Sequence, residues 1–201
     1  MTTAQSDSLT KQKLLDAAQE LMLAKGYTAT SVDEICTAAG LTKGSFFHYF
    51  EGKEHLGRLV AERFYATRKQ LFALAPFHQK KDPLERVLGR VDFFIEMSRG
   101  PHPPKGCLLG TFVQELYATH PAIRSVCADC FADSARGFQQ DLEEAKATHA
   151  PRARWSAQSL SEHLTAILQG ALILAKAKQD PKVIRESLGH FRDYLRSLFR
   201  E

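Results

Sequence analysis

Apolar residues recur at three- and four-residue spacings along almost the whole chain, and no stretch of any length alternates apolar with polar in the rhythm of a strand. An almost entirely helical protein is expected. Residues 1–9 read as a flexible tail. Thr10 can cap a first helix in which Leu14, Ala18, Leu21 and Met22 form a stripe. A long helix after Lys53 carries Leu56, Leu59, Val60, Phe64, Leu71 and Phe72 until Ala75-Pro76 stops it. Asp82-Pro83 then opens a helix through Leu84, Val87, Leu88, Val91, Phe94 and Ile95. It ends in the loop Arg99-Gly100-Pro101-His102-Pro103-Pro104-Lys105-Gly106, where consecutive prolines exclude helix. From Cys107 the chain turns helical through Leu108, Phe112, Glu115 and Leu116, breaks near His120-Pro121, and resumes through Ile123, Val126, Cys130 and Phe131 to about Ala147. Two strongly amphipathic helices, roughly 156–179 and 181–200, close the chain.

The segment from Ser31 to Lys53 is denser in meaning than the rest. Ser31 and Glu34 stand at the spacing of a capping box, and Val32, Ile35 and Ala39 would bury one stripe of a short helix. Gly40 suits the left-handed backbone of a tight turn. Leu41 fills the corner, and Thr42 can cap a second helix whose first turn, Lys43-Gly44-Ser45, is small and polar, so that it can approach a groove closely. Phe46 and Phe50 would face inward and leave Lys43, Gly44, Phe47, His48 and Tyr49 outward. That is the pattern of a helix-turn-helix. A plain helical hairpin with Phe46, Phe47 and Phe50 as core aromatics is the alternative reading of the same pattern.

With these residues on the page, the stretch from Thr10 to about Leu59 resembles the DNA-binding domain of the TetR family of bacterial transcriptional repressors. The resemblance rests on Lys25-Gly26-Tyr27, Thr30-Ser31, the run Ile35-Cys36-Thr37-Ala38-Ala39-Gly40-Leu41-Thr42-Lys43-Gly44, and the closing Phe46-Phe47, Tyr49-Phe50 and Lys53. Phe47 departs from the pattern, since the family most often has Tyr there, and the hydroxyl is lost. The resemblance implies an all-α fold: a three-helix DNA-binding domain over residues 10–55, then a helical regulatory and dimerisation domain over 56–201. It further implies that Thr42, Lys43, Gly44, Ser45, Phe47, His48 and Tyr49 meet bases and backbone, with Thr30, Ser31 and Lys53 on phosphates.

Composition narrows the alternatives. At 201 residues and 44% hydrophobic content the chain can bury a sizeable core, and neither a membrane span nor a secretory signal is apparent, so a cytoplasmic protein is expected. Net charge is +4, with nine Lys/Arg against eight Asp/Glu up to Gln70. Bulk charge therefore does not mark a DNA-binding end; placement of Lys11, Lys13, Lys43 and Lys53 would. The last two helices need cover. Intrachain packing can supply it, whereas in the resembling family such helices pair with a second subunit, and Gly170, Ala171 and Ala175 would permit close approach. A homodimer through residues 156–200 on a palindromic operator is implied.

Four cysteines remain: Cys36, Cys107, Cys127 and Cys130. Reduced thiols are expected. Cys36 reads as a small core hydrophobe, and Cys127-x-x-Cys130 lacks a second ligand pair, with His120 the one extra ligand nearby, so no metal or cofactor is expected. Cys107 differs, because it opens a helix where backbone donors favour a thiolate. The run Lys105-Gly106-Cys107-Leu108-Leu109-Gly110, with Glu115 and Lys176, resembles the electrophile-sensing branch of the family, the N-ethylmaleimide-responsive repressors. That resemblance makes Cys107 a candidate sensor and Lys176 its candidate partner, in a ligand chamber lined by Phe94, Leu108, Phe112, Phe131 and Leu172. Cys107 can equally be an apolar wall of a pocket for a neutral small molecule. Motifs of phosphate-binding loops, serine hydrolases and zinc peptidases are missing. A helical sensor or a thiol enzyme without DNA binding, using His102 or His120 as base, is the competing class.

Overall fold

The structure is a computed structural model that describes residues 3–101 and 103–200, with side chains from Ser8 onward. Among these residues it is helical throughout: α1 (Thr3–Lys25), α2 (Val32–Ala39), α3 (Lys43–Tyr49), α4 (Lys53–Ala73), a 3-10 turn (Pro76–Gln79), α5 (Pro83–Met97), α6 (Leu108–Leu116), α7 (Pro121–His149), α8 (Ala157–Lys178) and α9 (Lys182–Leu198). His102 lies outside the described residues. The breaks fall where the local chemistry puts them. Asp82 caps α5 by accepting from the amides of Leu84 (2.7 Å) and Glu85 (3.1 Å), with Pro83 at the first helical position, where its missing N–H has no partner to lose. Ser156 caps α8 in the same way, accepting from Ser159. Helix α1 begins at Thr3 rather than near Thr10, so the expected tail is helical from Thr3 on; no Gly or Pro before Gly26 opposes it.

The chain divides into two compact units, and not at residue 55. The first runs to Arg68 and adds Cys107–Cys130, so α6 and the start of α7 belong with the N-terminal helices. Its core is Leu14, Ala18, Met22, Ile35, Phe46, Leu56, Val60, Phe112 and Ile123, all without exposure. Each such Leu, Ile or Phe contributes on the order of 1.5–3 kcal/mol by leaving water. Gly57 of α4 is where Tyr27 and Ile123 close in: a Cβ there would stand 2.9 Å from the Tyr27 ring and 3.1 Å from the Ile123 side chain.

The second unit is Lys69–Gly106 with residues 131 onward. Helix α9 packs on both α5 and α8, burying Ile184, Leu188, Phe191 and Leu195 along one stripe. An aromatic group of Phe72, Phe77, Phe93 and Phe94 gathers at the 3-10 turn, Phe72 and Phe94 with centroids 4.6 Å apart. Between α5 and α7 a largely buried ion-pair network holds Arg86 and Arg90 against Asp141 (3.1 and 3.2 Å), with Glu144 also on Arg86. Arg90 lies over the rings of Phe77 and Phe138 as well. Its guanidinium pKa is lowered by burial and held up by Asp141.

Removing one partner of such a network strands the others. Asp141→Ala leaves two guanidiniums without their shared carboxylate and is expected to lower unfolding stability by about 3–5 kcal/mol, read from urea denaturation, whereas Lys182→Ala at an exposed helix pair changes it by less than about 1 kcal/mol.

Candidate nucleic-acid interface

The sequence from Ser31 to Phe50 builds its two helices almost entirely from local hydrogen bonds. Ser31 Oγ accepts from the Glu34 amide (3.2 Å), and Glu34 Oε2 accepts from the Ser31 amide (2.8 Å), completing the capping box. Lys25 donates to the same carboxylate at 2.5 Å. That bond, then the two from Ser31, hold the Glu34 carboxyl down at about 2. Gly40 ends α2 with φ +65°, a left-handed conformation that a side chain would strain, and its N–H returns to Thr37. Thr42 then caps α3, its Oγ1 accepting from the Ser45 amide at 3.2 Å.

Helix α3 is seven residues long, and its two faces separate as expected. Phe46 and Phe50 are buried, with ring centroids 5.3 Å apart. The other face is open: Phe47 is 59% exposed, Lys43, Gly44 and His48 are exposed, and Ser45 and Tyr49 are half-buried at the margin. A core-aromatic role for Phe47 is thereby excluded, and with it the plain hairpin. The His48 and Tyr49 rings meet edge to face at 4.6 Å. Lys43 reaches Asp33 at 2.7 Å, both groups well exposed, so the pair is weak and the ammonium is available to a stronger anion.

Two of the expected phosphate ligands sit otherwise. Thr30 is fully buried, its hydroxyl donating to the Gly26 carbonyl at 2.7 Å, so its side chain pins the turn after α1 instead of meeting a phosphate. Lys53 is half-buried with its ammonium 4.2 Å from the Tyr27 ring centroid. Burial lowers its pKa, and Glu115 and Glu34 oppose that. Ser31 stays exposed beside the open face.

The corner Gly26-Tyr27-Thr28 joins this reading unit to α6. Glu115 Oε2 accepts from the Thr28 amide at 2.9 Å, and its carboxylate fills the place a side chain on Gly26 would take, only 2.0 Å from such a Cβ. The Tyr27 ring meets Phe112 edge-on at 5.6 Å and His120 at 5.2 Å. Burial, with Glu54 adding to it, pushes the Tyr27 phenol up to about 12. Phe112, fully buried, therefore packs against the reading unit, a contact its apolar spacing alone could not mark. His120 rests on Tyr27 and bonds Thr119 (2.8 Å); among the described residues no cluster of three His, Cys, Asp or Glu could hold a metal.

The remaining sensor candidates are divided between the units. Cys107 is the N-cap of α6, half-buried, followed by the buried Leu108. Phe94, Phe131, Leu172 and Lys176 belong to the second unit, where Phe94 stacks on Phe72, Phe131 is half-buried, Leu172 is buried and Lys176 is exposed on α8. Cys36 is a buried thiol whose pKa burial raises, in keeping with a core role. A groove of about 410 Å³ lies between α8 and α9, lined by His163, Ile167, Gly170, Leu174, His190 and Tyr194 among others.

Known proteins agree with this geometry along nearly the whole chain. The family model of bacterial regulatory proteins, tetR family, matches residues 14–58, and the tetracyclin repressor-like C-terminal domain matches residues 83–191. The transcriptional regulator AcuR of Cereibacter sphaeroides is 31% identical over 87% of this chain and 80% of its own. The HTH-type transcriptional repressor DhaR of Mycobacterium sp. is 28% identical over 90% and 87%. The crystal structure of Escherichia coli NemR in its reduced form superposes with a TM-score of 0.78 at 24% identity, over 92% of this chain and 95% of that one. An exposed second helix on a buried aromatic foundation, joined to a second helical unit and matched by both halves of one family, leaves one conclusion: the chain belongs to the TetR family of bacterial transcriptional regulators, DNA-binding proteins and not enzymes.

Proposed function

We propose that the chain is a dimeric cytoplasmic repressor whose α3 helices enter successive major grooves of a palindromic operator, and that an electrophile or a small apolar ligand releases it. The observation that carries this reading is the open face of α3, where Lys43, Gly44, Phe47 and His48 are exposed while Phe46 and Phe50 anchor the helix from behind. Phosphate contacts fix register and base contacts specify, so Ser31 and Lys43 serve the backbone and His48 and Tyr49 the base edges.

The second subunit docks along α8 and α9. Ile173, Leu174 and Tyr194 are each 44–49% exposed there, and nothing lies within 4 Å of a Cβ built on Gly170. An apolar face of that kind is costly to leave in water and fits a second copy of itself. Two-fold pairing sets the half-sites about 34–36 Å apart, one turn of duplex.

Release starts at α6. Cys107 stands at one end of this nine-residue helix and Glu115 and Leu116 at the other, about 13 Å away at 1.5 Å per residue. Glu115 at the far end holds Thr28 and Phe112 in the middle meets Tyr27, so a change at Cys107 reaches the reading unit through a rigid element within a single unit. Adduct formation on Cys107 and occupation by a neutral ligand both act on the same helix.

Footprinting of the chain's own upstream DNA, with and without a panel of electrophiles and apolar compounds, tests the reading directly. His48→Ala is expected to relax preference at one base position by about 1–3 kcal/mol, while Lys43→Ala weakens all sequences alike and lowers the salt slope by about one. Equal effects of both on every sequence would contradict the assignment. Glu115→Ala is expected to keep operator binding but to blunt electrophile-driven release several-fold in fluorescence anisotropy; a full response would remove α6 from the route.

A further inference from the structure

Phe47 stands on the open face of α3 with 59% of its surface exposed, and among the described residues no other phenylalanine is exposed. Isolated apolar side chains are ordinary on protein surfaces; the setting distinguishes this one. The ring meets Phe46 edge to face, with centroids 5.2 Å apart and planes at 81°, and Phe46 is fully buried, so the outward phenyl is backed by the core. Gly44 and Lys43 precede it by three and four positions and therefore share its side of the helix. Among the described residues a Cβ built on Gly44 would find only the Thr42 hydroxyl within 4 Å, at 3.6 Å, so the surface beside the ring is an open notch. The face thus offers a backed phenyl, a gap and the exposed Lys43.

Resting on the reading that α3 enters the major groove, we propose that Phe47 is a specificity-determining residue that reads the C5-methyl group of a thymine in each half-site. A phenyl has no hydrogen-bond donor or acceptor, so it cannot pair with a purine edge, with the amino group of cytosine or with a phosphate oxygen. The one apolar mark that base pairs present in the major groove is the thymine methyl. Stacking on a base face needs an unpaired base, and wedges between base steps belong to the minor groove. The methyl suits the notch, because Gly44 has no side chain to hold a base edge off the backbone and the phenyl supplies an apolar wall. Burying one methyl corresponds to about fourfold in affinity, and a two-fold dimer using both half-sites multiplies this to about fifteenfold. His48 and Tyr49 read by hydrogen bonds, so the contribution of Phe47 can be isolated by changing the methyl alone.

The test uses the full chain on the duplex that footprinting defines. Each thymine is replaced in turn, at its matching places in both half-sites, by deoxyuridine, which keeps every Watson–Crick bond and removes only the methyl, and affinity is read by fluorescence anisotropy. The expected result is at least one position where the exchange weakens the parent about fifteenfold, while Phe47→Ala binds the thymine and uracil duplexes there with equal affinity. Deoxyuridine also alters duplex stiffness, so the assignment rests on the difference in thymine preference between parent and variant rather than on the loss alone. Parent affinity unchanged by every exchange, or a Phe47→Ala protein that keeps the full thymine preference, overturns the proposal, and the first of these needs no variant to fold. A chain that footprints no DNA overturns the repressor reading and this one with it, whereas a clear footprint indifferent to uracil overturns the thymine contact alone.

Discussion

The grip of α6 on the corner after α1 is the constraint on which the first unit turns. Gly26 leaves room for the Glu115 carboxylate, which accepts the Thr28 amide, and Tyr27 lies edge-on against Phe112 and His120. Without that contact the three N-terminal helices would be a small bundle with a modest core, marginal by size alone. With it, Met22, Leu56, Val60, Phe112 and Ile123 join one buried cluster, and a helix remote in sequence becomes part of the reading unit.

This arrangement gives the proposed release through Cys107 a physical path. A sensor that touched only loops would dissipate its signal in soft backbone motion. Cys107 instead begins a helix whose other end holds the recognition unit, and a short helix moves as a body. Lys53 shows how tightly this corner is knit: its ammonium sits over Tyr27, and the Glu115 carboxylate that anchors α6 also opposes the lowering of its pKa by burial.

The second unit has a different construction. It is held by the Arg86–Asp141–Arg90 network and by α9 lying between α5 and α8, while Ile173, Leu174 and Tyr194 remain exposed, on the face where the second subunit is proposed to dock. Among the described residues no helix is long and apolar enough to cross a membrane.

Local chemistry made much of this legible from the sequence alone. The capping box at Ser31 and Glu34, the left-handed Gly40, the Thr42 cap, the Asp82-Pro83 start and the inward Phe46 and Phe50 all depend on residues within four positions of each other, and such interactions are written in spacing. The buried hydroxyl of Thr30, the placement of Phe112 against Tyr27 and the Glu115–Thr28 bond across 87 positions are not. An apolar or acidic side chain on a helix carries no mark of which distant surface it will meet. Packing chooses that surface by shape and by the need to satisfy every buried polar group, and only the folded chain brings the candidates together.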